Sequence, residues 1–181
     1  TLINAGKLLE AETIYKDLRN KGTKDHVVLG NLATLYSIKG EKKEAKKLLN
    51  EALKNKPDFP DAHNNLAILQ KDEGDLNAAI KSFRKAINYR PDYSEAHYNL
   101  SISLNQKGNL NEAIESIKQA IIYKPHYPEA LYHLGNIHKK LGDLDNAINS
   151  YQLAIKYNPQ YPEALNNLGV SYRAGNNIDL A

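Results

Sequence analysis

A column of amide side chains recurs through the sequence at intervals of 34 residues. Each member precedes a leucine that recurs at the same interval. The member is asparagine in four copies and histidine in one: Asn31, Asn65, Asn99, His133 and Asn167. A primary amide offers a hydrogen-bond donor and an acceptor, which are the two groups that a peptide backbone presents. A neutral imidazole also carries one of each, and its charge varies with pH. This amide column therefore predicts a surface that holds the backbone of an extended peptide.

A structural role for the amide column is the alternative. An amide can equally satisfy polar groups between packed helices, and asparagine is abundant here, at 21 of 181 residues. Copies of a repeat also arise by duplication, so the recurrences are not independent. The residue types alone support both peptide binding and helix packing.

Catalysis and metal binding are not indicated by the remaining reactive residue types. The sequence has no cysteine, so it has no disulfide and no thiolate ligand. Its six histidines include no pair four residues apart; His133 and His138 are five apart and do not share a helix face. Neither a phosphate-binding loop nor a dinucleotide fingerprint is present. We therefore expect no enzyme activity, no catalytic residue, no metal and no cofactor.

The charge pattern argues against nucleic acid and membranes as partners. Lysine and arginine number 24 against 21 acidic residues, a net charge of +3. The basic residues form no stripe of the kind that nucleic-acid-binding surfaces show. No stretch approaches the roughly 18 consecutive apolar residues of a membrane span. We expect a cytoplasmic protein, and because methionine is absent even at position 1, we expect the chain to be a segment of a longer one.

Paired amphipathic helices are predicted to position the amide column. In residues 94–127, apolar residues recur with helical spacing over two segments. Gly108 lies between them, where a helix ends in the left-handed conformation that glycine adopts without strain. Asn109 is predicted to cap the second helix, and Pro125 to end it. Each copy is therefore predicted to be a helical hairpin.

The same turn and packing residues recur at this interval along the whole chain. The turn glycines are Gly6, Gly40, Gly74, Gly108 and Gly142. Two alanine columns, from Ala11 to Ala181 and from Ala52 to Ala154, predict close approach of helix backbones. In the last copy the glycine is displaced to Gly175, and Asn176 is expected to take the left-handed conformation. The frame over 1–181 is a trailing helix at 1–25, full hairpins at 26–59, 60–93, 94–127 and 128–161, and a partial repeat at 162–181.

These columns resemble the tetratricopeptide repeat. The match includes the turn glycine, both alanine columns, the closing proline and the bulky residues Tyr15, Phe83 and Tyr151. The resemblance covers the whole chain and implies an all-α, right-handed superhelical solenoid of antiparallel hairpins. It also implies that the leading helix of each hairpin lines a concave groove for an extended peptide or a partner helix. The amide column most resembles the asparagine ladder of O-linked N-acetylglucosamine transferases, which holds substrate peptides.

Other polar residues on the leading helices are candidates for the same groove. Tyr98 and Tyr132 each precede a member of the amide column and combine apolar contact with a hydroxyl group; packing between helices is their alternative role. The remaining groove candidates are Asn105, Asn136, Lys139 and Arg173. Tyrosines beside the closing prolines, among them Tyr127 and Tyr161, are expected to be structural.

A clamp for the C-terminal carboxylate of a partner is not expected. Relatives that bind such carboxylates place lysine or arginine on successive leading helices. One of the corresponding places here is acidic and would repel a carboxylate. The residues at that place are Asp61, Glu95, Glu129 and Glu163.

The sequence thus predicts a non-catalytic protein–protein interaction scaffold that holds an extended peptide through the amide column. Its partner is expected to be a protein or peptide. Two alternatives stay open at this point. The chain could recruit substrates for a larger enzyme of glycosyltransferase or sulfotransferase type, or it could form a homo-oligomer through its exposed end helices.

Overall fold

The chain folds into α-helices joined by short turns. The computed structural model describes residues 7–178, and this range contains ten α-helices and no β-strand. Packing divides the chain into two compact units, residues 1–91 and 92–181. The all-α helical-repeat class predicted from the sequence is confirmed.

Each unit contributes five consecutive helices to the described range. Those of the first unit are α1 (Leu8–Asn20), α2 (His26–Ile38), α3 (Lys42–Asn55), α4 (Pro60–Asp72) and α5 (Leu76–Tyr89). Those of the second unit are α6 (Ser94–Lys107), α7 (Leu110–Tyr123), α8 (Pro128–Lys140), α9 (Leu144–Tyr157) and α10 (Pro162–Ile178). Within a unit each helix packs on the next one along the chain. The even-numbered helices are the leading helices and the odd-numbered ones the trailing helices.

Glycines in the left-handed conformation end the leading helices, as predicted. The glycines with φ between 77° and 87° at these turns are Gly40, Gly74, Gly108 and Gly142. After α8 the N–H of Asp143 donates to the carbonyl of His138 at 3.0 Å, which closes the turn. Gly6 lies outside the described residues. Gly22, with φ of 82°, makes the corresponding turn after α1, so that α1 ends at Asn20, before the predicted boundary at residue 25.

Side chains cap two of the trailing helices, but not the helix for which Asn109 was the predicted cap. Asp143 caps α9 by accepting a hydrogen bond from the N–H of Asn146 at 3.2 Å, and Asp75 caps α5 in the same way. Asn109 makes no such bond at the start of α7. Its Nδ2 donates to Oε1 of Glu112 at 3.3 Å instead, because the carboxylate attracts the amide hydrogen. The predicted Asn109 cap was wrong.

Small residues form the close contacts between helices. The alanines of both columns that the structure describes are fully buried: Ala11, Ala45, Ala79, Ala113, Ala147, Ala52, Ala86, Ala120 and Ala154. Phe83 and Tyr151 are also fully buried on the trailing helices. On the leading helices Leu32, Leu66 and Leu100 are buried beside the amide column. The core therefore fixes which face of each leading helix carries the amides.

The last described helix corrects one prediction. Helix α10 continues through Gly175 and Asn176 to Ile178, and no residue other than glycine has a positive φ in the described range. A glycine inside a helix costs only about 1 kcal/mol relative to alanine. Gly175, one position before the expected turn, is therefore tolerated as part of the helix and does not end it.

Candidate functional site

The amide column lies on five leading helices, two in the first unit and three in the second. Asn31, Asn65, His133 and Asn167 are half-buried. Asn99 is more deeply buried, with 8% of its surface exposed. The leucines that follow the first three members are buried, whereas Leu134 and Leu168 are half-buried, so the column lies at the boundary between core and solvent.

Hydrogen bonds in the first unit engage both of its column members. Nδ2 of Asn31 donates to the hydroxyl of Tyr15 on α1 at 3.2 Å. Nδ2 of Asn65 donates to Oγ1 of Thr34, on the preceding leading helix, at 3.1 Å. Oδ1 of Asn65 accepts a long hydrogen bond from Asn64 at 3.4 Å. These amides therefore join neighbouring helices.

A denser network surrounds Asn167 in the second unit. Its Nδ2 donates to the hydroxyl of Tyr132 at 3.2 Å and to Oδ1 of Asn136 at 2.9 Å, both on α8. The hydroxyl of Tyr151 on α9 donates to the same Asn136 oxygen at 2.8 Å. An amide nitrogen carries two hydrogens. Both amide hydrogens of Asn167 are therefore donated to residues of α8, and these bonds fix the orientation of the amide.

A side-chain acceptor 31 residues earlier accounts for the asparagine in two copies. Thr34 stands in that relation to Asn65, and Asn136 stands in it to Asn167. The distance along the chain corresponds to one repeat less one helical turn, so that the acceptor lies on the adjacent leading helix. This pairing was not part of the sequence analysis, although its signal, a polar residue three places after the previous column member, is visible in the sequence.

His133 and Asn99 both stand where that acceptor is missing. The residues 31 positions earlier are Ile102 and Ile68. The ring of His133 bonds to the backbone of Ser101 and lies edge-on to Tyr98, with 6.0 Å between ring centroids. Its Nε2 is buried with no hydrogen-bond partner among the described residues.

Burial controls the charge of His133. It lowers the pKa of the imidazole to about 4, and the charge of Lys140 acts in the same direction. The ring is therefore neutral at pH 7, with a donor and an acceptor as an amide has. The pH dependence expected for this position is confined to acid solution.

The two groove tyrosines pack on tyrosines that precede the next leading helix. The rings of Tyr98 and Tyr127 have centroids 5.1 Å apart, and Tyr132 and Tyr161 repeat this distance. Tyr98 and Tyr132 are half-buried. Burial raises the pKa of Tyr98, and the charge of Glu129 raises it further. Each pair therefore has a packing role and a partly exposed aromatic surface.

The structure brings some of the remaining candidates together and leaves others apart. Asn136 belongs to the Asn167 network. Asn105 accepts a hydrogen bond from Nζ of Lys140 at 2.9 Å, in an exposed contact. Lys139 is half-buried, and Arg173 is exposed on α10.

Family models match consecutive repeats along the chain. The model described as TPR repeat matches residues 71–102, 103–142 and 135–174, more than half of the chain. Two models described as tetratricopeptide repeat match residues 27–59 and 48–81. The chain belongs to the tetratricopeptide repeat family.

Solved structures share this tetratricopeptide-repeat fold. A crystal structure of MamA is 26% identical with a TM-score of 0.75, covering 80% of this chain and 85% of that one. A crystal structure of YrrB, a TPR protein with an unusual peptide-binding site, is 20% identical with a TM-score of 0.73, covering 91% and 85%. A chain of the APC/C hetero-tetramer Cut9–Hcn1 is 22% identical with a TM-score of 0.81, covering 96% of this chain and 35% of that one. Among curated proteins no sequence matches significantly.

The described part of this tetratricopeptide-repeat protein shows neither a metal-binding cluster nor a membrane-spanning helix. Within residues 7–178, no group of three or more histidine, aspartate or glutamate residues is placed to hold a metal ion. The helices of that range are also too short or too polar to cross a membrane.

Proposed function

We propose that the chain is a non-catalytic protein-interaction module that binds an extended peptide along its leading helices through the amide column. The observation that carries this proposal is the hydrogen bonding of Asn167. Both of its amide hydrogens are directed at α8, so the amide is held in one orientation and its oxygen stays available. A fixed acceptor of this kind suits the N–H of a peptide backbone.

The side-chain oxygens of three column members are available to accept a hydrogen bond from a peptide. Those of Asn31, Asn99 and Asn167 accept no hydrogen bond from the described part of the chain. Adjacent helices pack roughly 8–10 Å apart, and an extended chain rises about 3.3 Å per residue. Within a unit, successive amides would therefore contact about every third residue of a bound peptide. Because the amide nitrogens of Asn31 and Asn167 bond to neighbouring helices, these two members have a structural and a binding role together.

Removal of the oxygens tests the proposal. The double variant Asn99→Ala, Asn167→Ala is compared with the wild type for capture of peptides from a random library displayed on phage. Asn111→Ala, on an exposed face of trailing helix α7, is the matched control. We expect the double variant to lose capture by about tenfold or more, since each net hydrogen bond contributes about 1 kcal/mol. Unchanged capture by a variant with reduced thermal stability would contradict the proposal and assign the amide column to packing alone.

A second candidate function is self-association through the end helices. Helix α1 exposes 79% of Leu9 and 41% of Ile14, and α10 exposes 48% of Leu165 and 45% of Tyr172. Apolar surface of this kind favours association with another protein surface. Sedimentation velocity over a range of concentrations tests this candidate: reversible growth supports it, and a constant monomer refutes it. Recruitment of substrates for a larger glycosyltransferase or sulfotransferase stays a prediction.

A further inference from the structure

An acidic residue occupies the second position of four leading helices. These residues are Asp61, Glu95, Glu129 and Glu163 on α4, α6, α8 and α10. The residue 29 positions after each of the first three lies just beyond the following trailing helix, and its type changes along the chain. These residues are Arg90, Lys124 and Asn158.

In the first unit a cation occupies this place. The guanidinium of Arg90 binds the carboxylate of Asp61 with both nitrogens, at 3.0 Å and 2.7 Å. Paired, planar hydrogen bonds of this type are the preferred geometry between arginine and a carboxylate. The chain itself therefore demonstrates that a guanidinium fits on the acid at this position.

In the second unit the residue that corresponds to Arg90 is a lysine in one repeat and a neutral asparagine in the next. Nζ of Lys124 lies 4.0 Å from the centroid of the Tyr127 ring, which shows that a cation also fits on the face of this tyrosine. The next residue in the series is Asn158, which carries no charge. Glu95, Glu129 and Glu163 are exposed, and none of them takes part in an ion pair within the described range.

Aromatic rings lie beside these unpaired carboxylates. Tyr132 and Tyr161 form one ring pair. The pKa of Tyr161 is raised to about 12, chiefly by burial, and the charges of Glu129 and Glu163 contribute to this rise. Burial and the charge of Glu129 raise the pKa of Tyr98, and burial together with the charges of Glu95 and Glu129 raises that of Tyr127. The carboxylates and the rings therefore belong to one surface, which we call the Tyr–Glu surface: Tyr98, Tyr127, Tyr132, Tyr161, Glu95, Glu129 and Glu163.

The charge of the second unit favours a basic ligand. Residues 92–181 contain seven lysines and arginines against nine acidic residues, whereas residues 1–91 contain 17 against 12. The first unit therefore has a net positive charge, and its Asp61 is paired with Arg90 of the same unit. The second unit is acidic and carries exposed carboxylates next to aromatic rings, a combination that attracts cations by charge and by ring quadrupole.

We propose that the Tyr–Glu surface selects extended peptides that carry arginine or lysine side chains, with the place between Tyr132, Tyr161, Glu129 and Glu163 receiving one of them. This inference rests on the proposed peptide binding along the leading helices, and it names the chemistry of the peptide. A basic side chain there takes the position that Arg90 has on Asp61.

Peptide binding measured by fluorescence anisotropy tests this proposal. The probe is a labelled peptide of glycine and serine with arginine at every third position, compared with peptides that carry lysine, glutamine or glutamate at the same positions. We expect the arginine and lysine peptides to bind about tenfold more tightly than the glutamine peptide, from exposed ion pairs and cation–π contacts together. The preference is expected to shrink as ionic strength rises, because exposed charges are screened.

Two variants of the second unit locate the binding place. Glu129→Gln with Glu163→Gln removes the charges, and Asn158→Arg supplies an internal cation as Arg90 does. Asn158 and Arg90 have nearly the same backbone conformation, so the arginine is compatible with this position. Both variants are expected to abolish the preference for arginine peptides without altering binding of the glutamine peptide. Glu115→Gln on trailing helix α7 is the control with the same change of charge, and it is expected to keep the preference.

The outcomes separate the two proposals. If the glutamine peptide binds as tightly as the arginine peptide, or if the preference survives both variants, selection of basic peptides by the Tyr–Glu surface is refuted while peptide binding stands. If no peptide binds at low ionic strength, the proposed function is refuted together with it.

Discussion

Asn167 donates a hydrogen bond of 2.9 Å to Oδ1 of Asn136, which lies 31 residues earlier on the adjacent leading helix. Asn65 and Thr34 have the same relationship in the first unit, at 3.1 Å. These bonds explain why an amide is placed beside the buried leucine. They do not distinguish asparagine from histidine in the other copies, because Asn99 and His133 both have an isoleucine 31 residues earlier, Ile68 and Ile102.

Asn136 is predicted to be a stability residue. Asn136→Ile introduces the residue type found at positions 68 and 102 of the same column. It leaves the hydroxyl of Tyr151 and one hydrogen of Asn167 without their acceptor. We expect a loss of about 2 kcal/mol in the free energy of unfolding, measured in urea, since an unsatisfied buried group costs about 1–3 kcal/mol. Asn111→Ala serves as the surface control, and equal stability of the two variants would contradict this account of the network.

His133 is predicted to make stability depend on pH. Its pKa is about 4 in the folded chain, against an ordinary value of 6.5. The unfolded chain therefore binds more protons between these two values, and stability falls as pH decreases through this window. The loss by about pH 5 is expected to be about 2 kcal/mol, and above pH 6.5 the full stability is retained.

The variant His133→Asn isolates this effect. It restores the residue of the other copies and removes the titrating group, so its melting temperature is expected to fall less between pH 7 and about pH 5. His63 also has a pKa lowered by burial and contributes in the same direction, so a smaller dependence remains. Identical pH profiles for the variant and the wild type would show that His133 is not responsible.

Two glycines at equivalent places are predicted to respond oppositely to alanine. A Cβ on Gly135 would lie 2.5 Å from Cε1 and 2.7 Å from Cδ1 of Tyr151, which is fully buried. A Cβ on Gly169 would meet no atom within 4 Å. Gly135→Ala is expected to destabilise the chain by about 1–3 kcal/mol through overpacking, whereas Gly169→Ala stabilises it by up to about 1 kcal/mol through helix propensity. Thermal denaturation of the pair checks the sign, and destabilisation of both would contradict the packing described for α8 and α9.

Much of the fold could be predicted because its signals are local. A turn glycine, a closing proline and a column alanine are each required by the backbone conformation or the packing of a single hairpin. Gly108 has the left-handed conformation and Ala113 is buried, as those requirements predict. The errors arose where a nearby side chain or helix propensity competed with the signal. Asn109 turns to Glu112 instead of capping, and Gly175 stays helical.

The candidate site was harder to predict because its contacts join different helices. The amide column was visible from its period, but the use of the nitrogen of Asn167 depends on which residue of α8 faces it. The role proposed for Glu129 likewise depends on the ring pair beside it. It also depends on the neutral Asn158 at the position that corresponds to Arg90. The period of the column alone does not give these pairings, because each depends on the residue type at another position of a neighbouring repeat.

Nuclear magnetic resonance of the side-chain amides tests the central claim most directly. The arginine peptide is titrated into the labelled protein, and the amide signals of Asn99 and Asn167 are compared with those of Asn111 on a trailing helix. Binding along the leading helices predicts that the signals of Asn99 and Asn167 shift in a saturable way while that of Asn111 does not. Saturable shifts confined to trailing helices, or none at concentrations where anisotropy reports binding, would contradict the account.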